Sequence, residues 1–170
     1  MRLVRDPLVA ILAVLTVVAV AAAAWFGTAW VSAARDEGLA RAEQRDVVLQ
    51  AAEHGLVTLH TLDHREAKRD VAAWLDVTAG GLHRDLAGDQ VGQREQARQT
   101  KTVSSAELLR AAVTELNGHA GTAQVIAVLT TTLETQGAKG EKKSTERKRV
   151  NAELVRRDGR WKVSAVEAAA

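Results

Sequence analysis

The chain has 170 residues, 46% hydrophobic and 26% charged, with a formal net charge of +2. That length suits one domain, and the composition is too apolar for a disordered chain and too charged for a multi-span membrane protein. There is no cysteine, which excludes disulfides and thiolate metal sites and leaves the redox compartment unreadable; aromatics at 3% against 32 alanines leave little to build a base-stacking surface for single-stranded nucleic acid.

The first element is an apolar helix. No residue from Pro7 to Ala34 is charged. At about 1.5 Å per residue this stretch reaches about 42 Å, against a hydrocarbon core of about 30 Å. A cleaved signal peptide is the alternative, but its apolar core runs only about 7–15 residues, and here the apolar run continues past the Ala21–Ala24 stretch that could imitate a cleavage site. The expectation is an uncleaved single-pass anchor over 7–34. Trp25, Phe26 and Trp30 stand near its C-terminal end as membrane-interface residues. Residues 1–6, with Arg2 and Arg5, form a cytoplasmic tail. A bare Lys/Arg count does not decide orientation, since Arg35, Arg41 and Arg45 follow the segment. A short retained tail and a long domain that translocates regardless of charge favour residues 35–170 outside.

Residues 35–62 read as a stalk and first helix, with Leu49, Ala52, Leu56 and Leu59 at helical spacing and Val48 beside them. Gly55 weakens helix propensity but permits close packing. Asp63 followed by Glu66 predicts a capping box opening a second helix, striped by Ala67, Val71, Trp74 and Leu75. Thr78, Gly80 and Gly81 break it. A polar third helix follows over about 82–100, with Leu82, Leu86 and Ala97 on a thin apolar face. After an ambiguous Ala-rich stretch from Val103 to Leu116, Asn117-Gly118 marks a turn whose loop is longer than two residues. Thr122–Thr135 then alternates as a strand, with Val125, Ala127, Leu129, Thr131 and Leu133 on one face. Val150, Ala152 and Leu154 alternate likewise. Asp158-Gly159 makes a two-residue hairpin that pairs Arg156 with Trp161, Leu154 with Val163 and Ala152 with Ala165. Helices grouped before strands predict an α+β domain over 35–170, with three helices packed on a curved antiparallel sheet of about four strands.

Three stretches carry a resemblance: AARDEGLARAEQRDVVLQAA after the apolar segment, LHTLDHREAKRDVAAWLDVTAGGLHRDL in the middle, and ERKRVNAELVRRDGRWKVSAVE at the end. Together with the layout, they resemble the Mce-associated membrane proteins of actinobacteria, over almost the whole chain. The closing strand matches at Arg160, Trp161 and Val163. The middle departs: its junction is Thr78, Ala79, Gly80, Gly81, and Leu82 and Leu86 stand where aromatics are common. The resemblance implies a cystatin-like, nuclear transport factor 2-like cone. It also implies an accessory role in an Mce-type lipid or sterol importer.

Candidate chemistry is sparse. His60 and His64 have a ligand-like spacing, but Thr61-Leu62-Asp63 breaks the helix between them, and no third ligand stands nearby. His54, His83 and His119 are scattered. An acid–base site in a cone needs an ionisable residue inside it. Asp70 and Asp76 are the candidates, but Asp70 precedes Val71 and is expected to point away from the apolar stripe, and Asp76 lies near a helix end. Gln124 is the main polar exception among the sheet's interior positions. Trp74 and Trp161 are expected as core anchors between helix and sheet, with lining of a lipid site the alternative.

Segment 139–149 carries six cationic and two acidic residues. It reads as a solvated hairpin loop, in which Lys142, Lys143, Arg147, Lys148 and Arg149 offer an electrostatic contact to anionic lipid headgroups or an acidic partner. The expected function is therefore a non-catalytic, membrane-anchored accessory protein, with no cofactor and no metal. Its expected partners are the bilayer and Mce complex subunits or related membrane proteins, not nucleic acid; a small-molecule ligand is left open. The alternatives are a tethered nuclear transport factor 2-like enzyme or binder, and an assembly subunit of a secretion or conjugation machine.

Overall fold

The computed structural model describes residues 7–137 and 140–169; the side chains of residues 7–10, 13–14, 24, 26–37, 136–137 and 140–141 lie outside that description. The elements are α1 (Pro7–Leu59), β1 (Leu62–Asp63), α2 (Ala67–Val77), α3 (Gly80–Gly88), α4 (Gln90–Thr100), β2 (Thr102–Asn117), β3 (Thr122–Gly137), β4 (Gly140–Arg157) and β5 (Arg160–Ala168). The chain divides into two compact units, Met1–Glu43 and Gln44–Ala170.

In the first unit, Ile11, Leu12, Leu15, Val17, Val18 and Val20 are each more than half exposed. At 100° per residue these six positions fall on all sides of the helix. The Thr16 hydroxyl donates to the Leu12 carbonyl at 2.8 Å, which satisfies it without solvent. Among the described residues no helix is long and apolar enough to cross a membrane. The expected anchor falls in large part on side chains outside the description, Phe26 and Trp30 among them, and so does the expected tail, 1–6. Trp25 is 76% exposed.

The second unit is an antiparallel sheet in the order β1-β2-β3-β4-β5, a plain meander. Five strands form where four were expected, because the break after α1 is itself a two-residue edge strand pairing Leu62 with Ser104 and Asp63 with Val103. Its inner face presents Ala123, Val125, Ala127 and Leu129 of β3, and Val150, Ala152 and Leu154 of β4. Val48, Ala52 and Leu56 of α1 fill that face and are fully buried. This is the helical stripe read from the sequence. Gly55 makes the approach possible: a Cβ there would stand 2.7 Å from Val163 Cγ2.

Turn chemistry sets the registers. Asp158 and Gly159 both have positive φ, 51° and 77°, which makes the mirror-image turn that suits a two-residue hairpin. Arg156 pairs with Trp161 and Leu154 with Val163 as expected, but a bulge after Leu154 moves Ala152 from Ala165 to Val166. Ser164 is the extra residue, and its hydroxyl donates to the Glu153 carbonyl at 3.2 Å. The ambiguous 103–116 stretch is β2, whose alternation is blurred by register shifts between Leu108 and Arg110 and between Val113 and Glu115. Asn117 pairs with Thr122, so the intervening loop has four residues and is longer than two, as expected.

The helices between α1 and β2 differ from expectation in detail. The polar third segment is two helices, parted at Asp89. Helix α2 starts at Ala67 with no side-chain cap. The capping box fails because Asp63 is already paired in the sheet and its carboxylate is taken by Arg65. Trp74 donates its indole N–H to the carbonyls of Thr58 (2.8 Å) and Thr61 (3.1 Å), tying α2 to the last turn of α1. Trp161 packs against the sheet core as expected.

Replacing Gly55 with alanine should lower stability by about 1–3 kcal/mol through overpacking, less about 1 kcal/mol of regained helix propensity. Adding Val163→Ala should restore part of the loss, a rescue readable in urea unfolding followed by circular dichroism. Additive losses in the double variant would contradict the close contact.

Candidate interaction surface

Strand pleating splits the charged residues between two faces. In β4, Lys143, Arg147, Arg149, Asn151 and Glu153 alternate with the buried Val150, Ala152 and Leu154, and so point away from α1. Their cross-strand partners run in rows. Arg110, Val128 and Arg149 form one, and Glu107, Thr130 and Arg147 the next. Ala112, Ile126, Asn151 and Glu167 form a third, and Glu115, Gln124 and Glu153 a fourth. The outer face is therefore zoned. Arginines cluster toward the β3–β4 connection, Glu115, Glu153 and Glu167 toward the other end, and Ile126 (39% exposed) lies between them.

The expected electrostatic group is thus a strand rather than a loop. Lys142 through Arg149 pairs with Val128 through Thr135 in unbroken register. The physical reason is that β3 carries a run of threonines with high strand propensity, which extends the ladder beyond the core. All five expected residues are exposed, but they do not share one side. Lys143, Arg147 and Arg149 lie on the outer face; Lys142 and Lys148 lie on the inner side, Lys148 opposite the buried Leu129. Lys143 Nζ meets Glu134 Oε1 at 2.7 Å, and Lys148 Nζ meets Glu146 Oε2 at 3.3 Å. Among the described residues no ion pair engages Arg147 or Arg149. Lys139 lies outside the description. Sequence reading missed Arg110, which faces the same row from β2. An alternation count interrupted at Leu109 would have found it.

Where α1 packs, the inner face is lined by alanine, valine and leucine. Gln124 is exposed on the outer face, contrary to its expected interior place, because the buried residues of β3 are the odd-numbered ones. Asp70 also departs from expectation: it is 8% exposed rather than turned outward. Its Oδ2 accepts from the Asp63 backbone N–H at 2.8 Å, and its Oδ1 from Arg69 Nε at 3.0 Å. It lines a cleft of about 240 Å³ with Val57, Thr58, Thr61 and Ala73. Its Oδ2 holds β1 to α2, and its Oδ1 is taken by Arg69 within α2. Asp76 is exposed, beside Arg160 and Lys162. His60 Nδ1 is 2.8 Å from the Leu56 carbonyl, and His64 Nδ1 is 3.6 Å from Asp63 Oδ1. Among the described residues no three acidic or histidine side chains are grouped to hold a metal.

Residues 7–170 match the family model described as "Uncharacterized protein Rv1363c/MT1408-like". The chain belongs to that family. No curated protein matches it. Among solved structures, CagV, a VirB8 homolog of the type IV secretion system from Helicobacter pylori, aligns with TM-score 0.53 at 11% identity, covering 72% of this chain and 95% of that one. VirB8 of Agrobacterium tumefaciens aligns with TM-score 0.52 at 12% identity, covering 73% and 90%. The periplasmic domain of DotI aligns with TM-score 0.52 at 17% identity, covering 72% and 94%. At these identities the likeness shows the fold. It is an α+β domain with a curled antiparallel sheet, as in those domains.

One acidic group on this domain is strongly shifted. The guanidinium of Arg65 holds the Asp63 carboxyl down, from 3.8 to about 2, with the Arg65 backbone N–H assisting. A carboxyl lowered by folding stabilises the fold fully above its unfolded value and loses that contribution as pH falls through its folded value. The stability difference between wild type and Arg65→Ala should therefore be constant above about pH 5 and vanish as pH falls from 3.8 to about 2. Urea unfolding at stepped pH reads this. A difference that persists unchanged at pH 2 would contradict the pair.

Proposed function

We propose that this protein is a membrane-tethered, non-catalytic assembly module, held by residues 7–34 at the extracytoplasmic surface, whose outer sheet face contacts another membrane-bound protein. The observation that carries the reading is the contrast between the two faces of the sheet. The inner face is apolar where α1 fills it, while the charged residues of the outer face are exposed and zoned. Acid–base catalysis in a cone requires an ionisable group inside it, and here α1 takes that space.

The tether is supported by the uncharged Pro7–Ala34 stretch and by the exposed apolar side chains around its described part. Extracytoplasmic placement is supported by the fold likeness to a periplasmic domain. We assign the partner as a subunit of an Mce-type lipid or sterol importer, on the three resembling stretches. A second reading, an assembly subunit of a secretion or conjugation machine, is favoured by the fold likeness to CagV and VirB8.

Crosslinking in native membranes, followed by mild solubilisation and mass spectrometry, separates the two. Recovery of Mce permease or substrate-binding subunits supports the first reading, and recovery of pilus or secretion-ATPase components the second. Arg147→Glu with Arg149→Glu should cut the recovered partner about tenfold, equivalent to about 1.4 kcal/mol. Undiminished recovery would remove the outer face from the interaction. Mature protein released into the medium without its leading segment would overturn the tether.

A further inference from the structure

A cavity of about 530 Å³ opens in the second unit between α1, the last turn of α2 and the β4–β5 hairpin. Its size is that of a small-ligand site. Helix α1 supplies Val47, Gln50, Ala51 and His54, whose spacing of three, four and seven puts them on one helical face. Val77 and the Trp161 ring complete an apolar wall. Val47 is 49% exposed, so the mouth of the cavity carries an apolar side chain.

The polar side of the cavity is cationic. Lys162 is 17% exposed at its side chain, and its ammonium is 3.7 Å from Asp76 Oδ1. Arg160 reaches the same oxygen at 3.8 Å. Two cations thus share one carboxylate, and both distances exceed the 2.7–2.9 Å or so of a charge-assisted hydrogen bond. A mostly desolvated ammonium with an incomplete partner favours a further anion.

We propose that this cavity binds a single-chain amphiphile with an anionic head, its alkyl chain along Val47, Ala51 and Trp161 and its carboxylate at Lys162 and Arg160. The chemistry follows from the walls: an apolar slot alone would take any alkyl chain, and the cations select the acid. The site is built by α1, the end of α2 and β5 and does not include Arg147 or Arg149, so it stands whether or not the partner assignment does.

The test uses the full chain in phosphatidylcholine nanodiscs, titrated with laurate carrying a labelled carboxyl carbon, with empty nanodiscs subtracted. Saturable one-to-one binding of laurate is expected, with lauryl alcohol at least tenfold weaker and acetate and inorganic phosphate without effect. Lys162→Met should weaken laurate at least tenfold. Val47→Glu, an exposed position that tolerates a polar residue, should do the same by repulsion, which keeps the test valid if the lysine variant unfolds. Equal binding of laurate and lauryl alcohol, laurate affinity unchanged in the folded variants, or displacement of laurate by phosphate alone would overturn the proposal. So would displacement by an acidic amphipathic peptide that binds more tightly than laurate, since the slot would then be a peptide site.

Discussion

Burial of one stripe of α1 against the inner sheet face is the contact on which the rest of the domain depends. Val48, Ala52 and Leu56 have no exposed surface, and their partners on β3 and β4 are nearly as buried. The small residues on both sides, Ala52 on the helix and Ala123, Ala127 and Ala152 on the sheet, let the backbones approach closely, and Gly55 removes the remaining obstacle at Val163. The consequence is functional. A curled sheet of this kind has room for a chamber only if its helix stands off, and here it does not. The exposed charged groups accordingly stand on the outer face and at the helix margins.

The edges of the sheet point the same way. An unpaired edge strand is a template for another chain. At one edge β1 covers part of β2, and His64 N–H donates to the Thr102 carbonyl. At the other, Thr78 makes a parallel bridge to Val163 and Ala79 N–H donates to the Val163 carbonyl at 2.9 Å. The Thr78 hydroxyl donates back to the Trp74 carbonyl, so the same residue ends α2 and docks it on β5. With both edges partly occupied by their own chain, the outer face is the larger exposed surface of the sheet.

What the sequence made legible follows from periodicity. The α1 stripe, the alternation of β3 and β4 and the Asp158-Gly159 hairpin were readable because each rests on a local rule: one side chain per 100° or per two residues, or a turn that demands positive φ. The misreadings arose where a tertiary contact overrode such a rule. Asp63 looked like a helix cap and became an edge strand once β2 was there to pair with it. Asp70 was expected outward by its place beside Val71, yet it turns inward to accept the Asp63 amide, a group seven residues away. Ser164 shifted one register step that two correct pairs nearby could not reveal. The basic segment looked like a loop because lysines and glycines are poor strand formers, and the threonines that hold it in the ladder lie on another strand. For the candidate surface, the charges were visible in the sequence but their sides were not, since sidedness requires knowing which residues of β3 are buried.

Tethering changes what such a surface must achieve. On the proposed anchoring, only the nine residues 35–43 separate the apolar stretch from the folded unit, so a partner in the same bilayer meets the domain at an effective concentration in the range of mM. Exposed ion pairs contribute only about 0–1 kcal/mol each, too little to hold a complex in free solution. At millimolar effective concentration a few such contacts suffice, and their zoning on the face fixes the register in which the partner docks.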